Sequence, residues 1–170
     1  MSVTSTDTAM PQIRGRARAK RLYTDAERAR RDGTKWTLVQ GILAPIQFLV
    51  FLVSLTLVVR YLLTGAGYEA ATISIVIKTA VLMLIMVTGA IWEKIVFGQY
   101  LFAPAFFWED VFSFVVIALH TWYMIALFTG QLPAQSMMYL ALAAYAAYVI
   151  NAGQFLWKLR MARLDAEARA

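Results

Sequence analysis

No cysteine occurs among the 170 residues, which excludes disulfides, thiolate nucleophiles, iron–sulfur clusters and cysteine-based zinc sites. Histidine is almost absent as well. His120 stands alone, so a single chain cannot give two axial histidines to a haem. Charged residues make up only 15% of the chain against 61% hydrophobic ones, far from the balance of a water-soluble domain. The length suits one domain, and the composition places it in a membrane.

A formal charge of +6 invites a nucleic-acid reading, but the placement of the charges argues against it. Nine of the sixteen Lys and Arg lie in residues 1–35 and four near the C-terminus, at Lys158, Arg160, Arg163 and Arg169. Basic flanks around apolar runs are orientation and lipid-headgroup signals. The expected partner is a lipid membrane, with no nucleic acid. Residues 1–20 are polar and carry no apolar core of a signal peptide, so no cleavable leader is expected.

The pattern predicts an all-α integral membrane protein, a four-transmembrane-helix bundle with a short N-terminal cytoplasmic amphipathic helix. A polar basic arm over 1–35 ends in that surface helix, which opens on a capping box between Thr24 and Glu27. Spans follow at about 36–63, 70–97, 106–129 and 137–159, each near or above the roughly 20 residues that cross the hydrocarbon. Residues 161–170 form a tail. The connections at 64–69 and 129–136 contain no Lys or Arg, so both termini and the middle loop are expected on the cytoplasmic side of a bacterial inner membrane.

Within the spans the polar residues are few and spaced. Gln40, Gln47 and Ser54 recur every seven residues and keep near one face of span one, where interhelical hydrogen bonding is the plainest role. Lys78 lies about two turns into span two, and snorkelling to the near interface is expected of it. Asn151 and Gln154 share a face of span four. Glu109, Ser113 and His120 share one of span three.

The densest chemistry is WEKIVFGQYLFAPAFFWED, residues 92–110. Three carboxylates, Glu93, Glu109 and Asp110, bracket an aromatic loop at the membrane surface. They can be interfacial anchors, with Glu93 paired to Lys94 and with Trp92, Phe106 and Trp108 in an aromatic belt. They can also be a general acid and base, since desolvation and a like charge nearby keep one carboxyl protonated beside an ionised neighbour.

Three long phrases carry a family resemblance: RLYTDAERARRDGTKWTLVQGILAPIQFLVFLVS, IWEKIVFGQYLFAPAFFWEDVFSFVVIALHTWY and LALAAYAAYVINAGQFLWKLR. The chain resembles the 3-vinyl bacteriochlorophyllide hydratase family of phototrophic bacteria. That resemblance implies addition of water to the C3 vinyl group of chlorophyllide a or the related bacteriochlorin, giving a 3-(1-hydroxyethyl) group on the way to bacteriochlorophyll. The substrate would bring its own magnesium, and the enzyme would need no cofactor or metal. The chemistry then suggests Glu109 or Asp110 as proton donor and Glu93 as base or electrostatic stabiliser. His120 is a candidate contact to the substrate magnesium; Gln40, Asn151 and Gln154 are candidates to orient water or ring substituents, and basic residues of the arm to meet the propionate. Trp92, Trp108 and Phe106 would flank the macrocycle. A second copy of the chain or another pigment-pathway enzyme is a possible partner. Two other classes compete: a tetrapyrrole carrier without chemistry, and a small multidrug-type transporter, which depends on an acid in its first span that this chain lacks.

Overall fold

The computed structural model describes residues 22–167. Most of the expected basic arm and the last three residues lie outside them. All regular structure among the described residues is helical: α1 (Asp25–Gly33), α2 (Lys35–Thr64), α3 (Tyr68–Phe97), α4 (Phe107–Thr129) and α5 (Ala134–Glu167). The last four are long and apolar enough to cross a membrane.

The helix ends follow local chemistry. The Thr24 hydroxyl accepts from the Glu27 amide at 3.2 Å while the Glu27 carboxylate accepts from the Thr24 amide at 2.7 Å, the reciprocal arrangement that satisfies two free donors at once. Helix α2 ends at Gly65, which adopts a left-handed φ of 70° and donates its N–H to the Tyr61 carbonyl at 2.7 Å; only glycine takes that conformation without strain. Pro45 stands inside α2 without ending it, although its missing N–H leaves the Gly41 carbonyl without the usual donor. Helix α5 runs on to Glu167, so the segment expected as a tail is helical as far as the structure describes it.

Two hairpins make the bundle: α2 packs along α3, and α4 along α5. Within the first, Gln40 donates to Thr88 at 2.8 Å and Ser54 bonds Ser74 at 2.7 Å, so these two members of the heptad series do act between helices. Between the hairpins, Ser54 meets the Tyr145 hydroxyl at 2.5 Å. The core filling this seam combines Phe51, Val58, Ile75, Val116 and Tyr123 with the small residues Ala141 and Ala144 of α5, which let backbones approach closely. Outward positions such as Leu63, Leu38 and Phe128 are exposed apolar side chains, as a lipid-facing surface requires.

Lys78 departs from expectation. It is fully buried, and its Nζ lies 3.9 Å from the centroid of the Tyr148 ring on α5 instead of snorkelling to an interface. The register of α3 turns it inward under α5, and a side chain aimed into the seam cannot also reach the helix end.

Helix α1 docks on the end of α3. Arg30 Nε donates to the Val96 carbonyl at 2.8 Å, and Tyr23 stacks on Phe97 with centroids 5.7 Å apart. Helix α1, the α3–α4 loop and the end of α5 therefore gather at one end of the bundle.

Candidate active site at the α3–α4 loop

Helix α3 ends at Gly98, where a left-handed φ of 87° turns the chain into the loop. Phe102 is also left-handed, with φ of 61°, the one non-glycine described residue in that region. A bulky residue held there is strained and needs surroundings that fix it. The fixing partners are the two acids: Phe102 donates its amide to Asp110 Oδ2 at 2.6 Å, and Ala103 donates its amide to Glu93 Oε1 at 2.8 Å. Successive N–H groups thus each hold one carboxyl oxygen from a different helix.

The same two carboxyls lie close to each other. A carboxylate only accepts, so a proton on either member would let it donate to the other. Both side chains are buried, at 4% for Glu93 and 6% for Asp110. Two buried carboxyls, one from α3 and one from α4, are thus aimed by adjacent backbone amides.

Glu109 is separate. Its carboxylate forms an ion pair with Lys158 Nζ at 2.8 Å, and Lys158 also donates to the Ala105 carbonyl. Adjacent residues on a helix point about 100° apart, so Asp110 turns to α3 while Glu109 turns to α5. Lys158 is the residue sequence reasoning missed, having counted it only as a basic flank. Its signal was the stripe Asn151, Gln154, Lys158 at helical spacing. Lys94 does not pair with Glu93; it donates to the Gly98 carbonyl at 2.7 Å.

The aromatics divide into two sets. Trp92, Phe97, Phe106, Phe155 and Tyr23 pack on one another inside the bundle end, and Trp92 Nε1 donates to Thr37 at 2.9 Å. Phe106 is 4% exposed, so this set is core. The other set lies outside: Phe102 stacks on Phe114 with centroids 5.5 Å apart and planes 10° from parallel, Phe107 lies 5.7 Å from Phe102, and Trp108 meets Phe107 edge-on. These rings are between 40% and 64% exposed, forming an exposed apolar face next to Asp110.

Other expected site residues are spread along the bundle. Asn151 donates to Ser113 at 2.8 Å, about one turn deeper than Asp110. Gln154 is half-buried, and Gln40 is engaged with Thr88. His120 lies ten residues beyond Asp110 on α4, about 15 Å along the axis, fully buried, and is not part of the carboxyl centre. A groove of about 560 Å³ at the same end is lined by Arg30, Lys35, Trp36 and Ile95.

Four membrane-spanning helices with two buried, amide-held carboxyls beside an exposed aromatic face define a class, the integral membrane proteins with a polar centre at one end of a helical bundle. The family model for 2-vinyl bacteriochlorophyllide hydratase (BCHF) matches residues 23–161. The chain is 74% identical over 157 residues to the 2-vinyl bacteriochlorophyllide hydratase of Rhodobacter capsulatus, covering 92% of this chain and 91% of that protein. It is 76% identical over 149 residues to the protein of the same name from Cereibacter sphaeroides, covering 88% and 92%. The chain belongs to the 2-vinyl bacteriochlorophyllide hydratase family. The 2-vinyl of the older macrocycle numbering is the C3 vinyl named above. No solved structure matches the chain.

Proposed function

We propose that the chain is a hydro-lyase that adds water across the vinyl group of a chlorophyllide-type macrocycle, and that Glu93 and Asp110 handle the proton. The observation that carries the residue assignment is the close approach of these two buried carboxyls, each held by a loop amide. In the proposed step the protonated member of the pair gives its proton to the terminal CH2 of the vinyl group. The internal carbon becomes a cation delocalised into the macrocycle. Water attacks it, and the proton released from that water returns to the pair. One water is consumed, a 1-hydroxyethyl group results, and no electrons are gained or lost. The balance therefore calls for no redox cofactor, and magnesium enters with the substrate.

The exposed face of Phe102, Phe107, Phe114 and Trp108 suits docking of a flat ring system next to Asp110. The groove with Arg30 and Lys35 suits the propionate. Glu109 is assigned a structural part as the counterion of Lys158. His120 is assigned no magnesium contact in the reacting complex: at about 15 Å from Asp110 along α4, it is farther than the centre of a macrocycle lies from its own vinyl group.

The test is incubation of membranes holding the protein with the vinyl substrate, followed by mass analysis of the pigment. A product heavier by one water supports the reading. Tight pigment binding with no mass change, under conditions where a relative converts it, supports a carrier instead.

A further inference from the structure

The carboxyl centre leaves a second group of buried polar side chains unused. Lys78 and His120 are fully buried and Gln47 is 2% exposed. Lys78 Nζ, His120 Nε2, both polar atoms of the Gln47 amide and the Asn151 Oδ1 have no hydrogen-bond partner among the described residues. Such atoms are costly to leave dry, an ammonium most of all, and native proteins rarely keep several together without an occupant.

These residues come from both hairpins and lie along the seam between them. Lys78 of α3 sits over the Tyr148 ring at 3.9 Å, and the His120 ring of α4 lies 6.0 Å from that of Tyr145, one turn away on α5. Tyr145 and Tyr148 are three residues apart on α5, so Lys78 and His120 lie about one turn apart along the seam. The Ser54–Tyr145 bond fixes α2 against the antiparallel α5. Seven residues back along α2 and seven on along α5 set Gln47 at the level of Ala152, next to Asn151. That layer is about one turn, roughly 5 Å, from Lys78 over Tyr148, and about two turns, roughly 10 Å, from His120.

The chemistry of the atoms selects the occupant. His120 Nδ1 meets the Val116 carbonyl at 2.8 Å; a carbonyl only accepts, so Nδ1 carries the hydrogen and Nε2 of the neutral ring presents a bare lone pair. Lys78 presents only donors. A metal ion on Nε2 would face the ammonium, and an anion on the ammonium would face the lone pair. A macrocycle has no way in, because Phe51, Tyr145 and Tyr148 close around the position. Water accepts from Lys78 and donates to Nε2, and a neighbouring water serves the Gln47 amide and Asn151 in the same manner. We propose that Lys78, His120, Gln47 and Asn151 bind a short file of water molecules inside the bundle, at the seam between the two hairpins. This site is distinct from the carboxyl centre and does not rest on the hydratase reading.

The test is solid-state NMR of the full-length, isotope-labelled protein in lipid bilayers, measuring polarisation transfer from water to the His120 ring nitrogens. His120 is the sole histidine, so its signals are unambiguous. Transfer to the ring several times faster than to the methyls of Val58, a fully buried packing residue, is expected. Transfer no faster than to Val58 would overturn the proposal. In Lys78→Met, and separately in Gln47→Leu, the His120 transfer should fall several-fold. Wild-type transfer retained in both variants would remove these side chains from the site. Should either variant fail to fold, the wild-type measurement decides alone.

Discussion

The two buried polar centres of this molecule differ in how their atoms are satisfied. At the α3–α4 end, Glu93 and Asp110 each hold a loop amide, and Glu109 holds Lys158. Deeper along the bundle, Lys78 and His120 share a seam with Gln47, and several polar atoms there lack protein partners among the described residues. The first centre is built from contacts across α3, α4 and α5 that the protein itself supplies. The second depends on something that enters it. A satisfied network fixes geometry, which a proton donor needs, while an unsatisfied one marks a place kept for a small guest.

Substitutions at the carboxyl centre should show the largest effects. Glu93→Gln and Asp110→Asn keep an oxygen for the Ala103 and Phe102 amides but remove the acid. Each is expected to slow conversion of the vinyl substrate by about 10²- to 10⁴-fold at equal protein level. Full activity in both would move the proton chemistry elsewhere. Next in size is Lys158→Met, which strands the Glu109 carboxylate, 6% exposed, beside a lysine position that is 26% exposed. Thermal unfolding in detergent should show a loss of about 2–3 kcal/mol, discounted for that partial exposure. Adding Glu109→Gln to it should recover most of the loss; no recovery would mean that the lysine serves another partner.

Smaller changes sharpen the comparison further. Phe102→Gly relieves the left-handed strain, and Phe102→Ala keeps it, so the glycine variant should be about 1 kcal/mol the more stable of the two. Both should raise KM through loss of the exposed ring while leaving kcat nearer to wild type; unchanged KM in both would take Phe102 off the docking face. The smallest effect on stability is expected for Lys78→Met. Exchanging a lone buried ammonium for an apolar side chain should be neutral or stabilising by about 1–2 kcal/mol, whereas a loss of several would show that Lys78 has a counterion.

The bundle was legible in the sequence because four apolar runs and uncharged turns leave little freedom to the topology. The capping box at Thr24 and the heptad pair Gln40 and Ser54 were readable for the same local reason: their partners lie at fixed helical offsets or at the same depth. The acid roles were less legible. Sequence showed that Glu109 and Asp110 point apart but not which neighbour each meets, since that depends on how α4 rotates against α3 and α5. The aromatic loop read as one girdle, and its division into core rings and an exposed face came only with the turn at Phe102. Lys78 was misplaced because distance from a helix end says nothing about the face on which a residue sits.

The assignment of the proton to one pair of carboxyls is best tested by comparing three variants side by side, Glu93→Gln, Asp110→Asn and Glu109→Gln, for hydration of the vinyl macrocycle in membranes, with folded protein quantified in each. Loss of at least about 10²-fold in the first two, with Glu109→Gln within a few-fold of wild type, is the expected result. Wild-type rates in the first two with activity lost in Glu109→Gln would contradict the account.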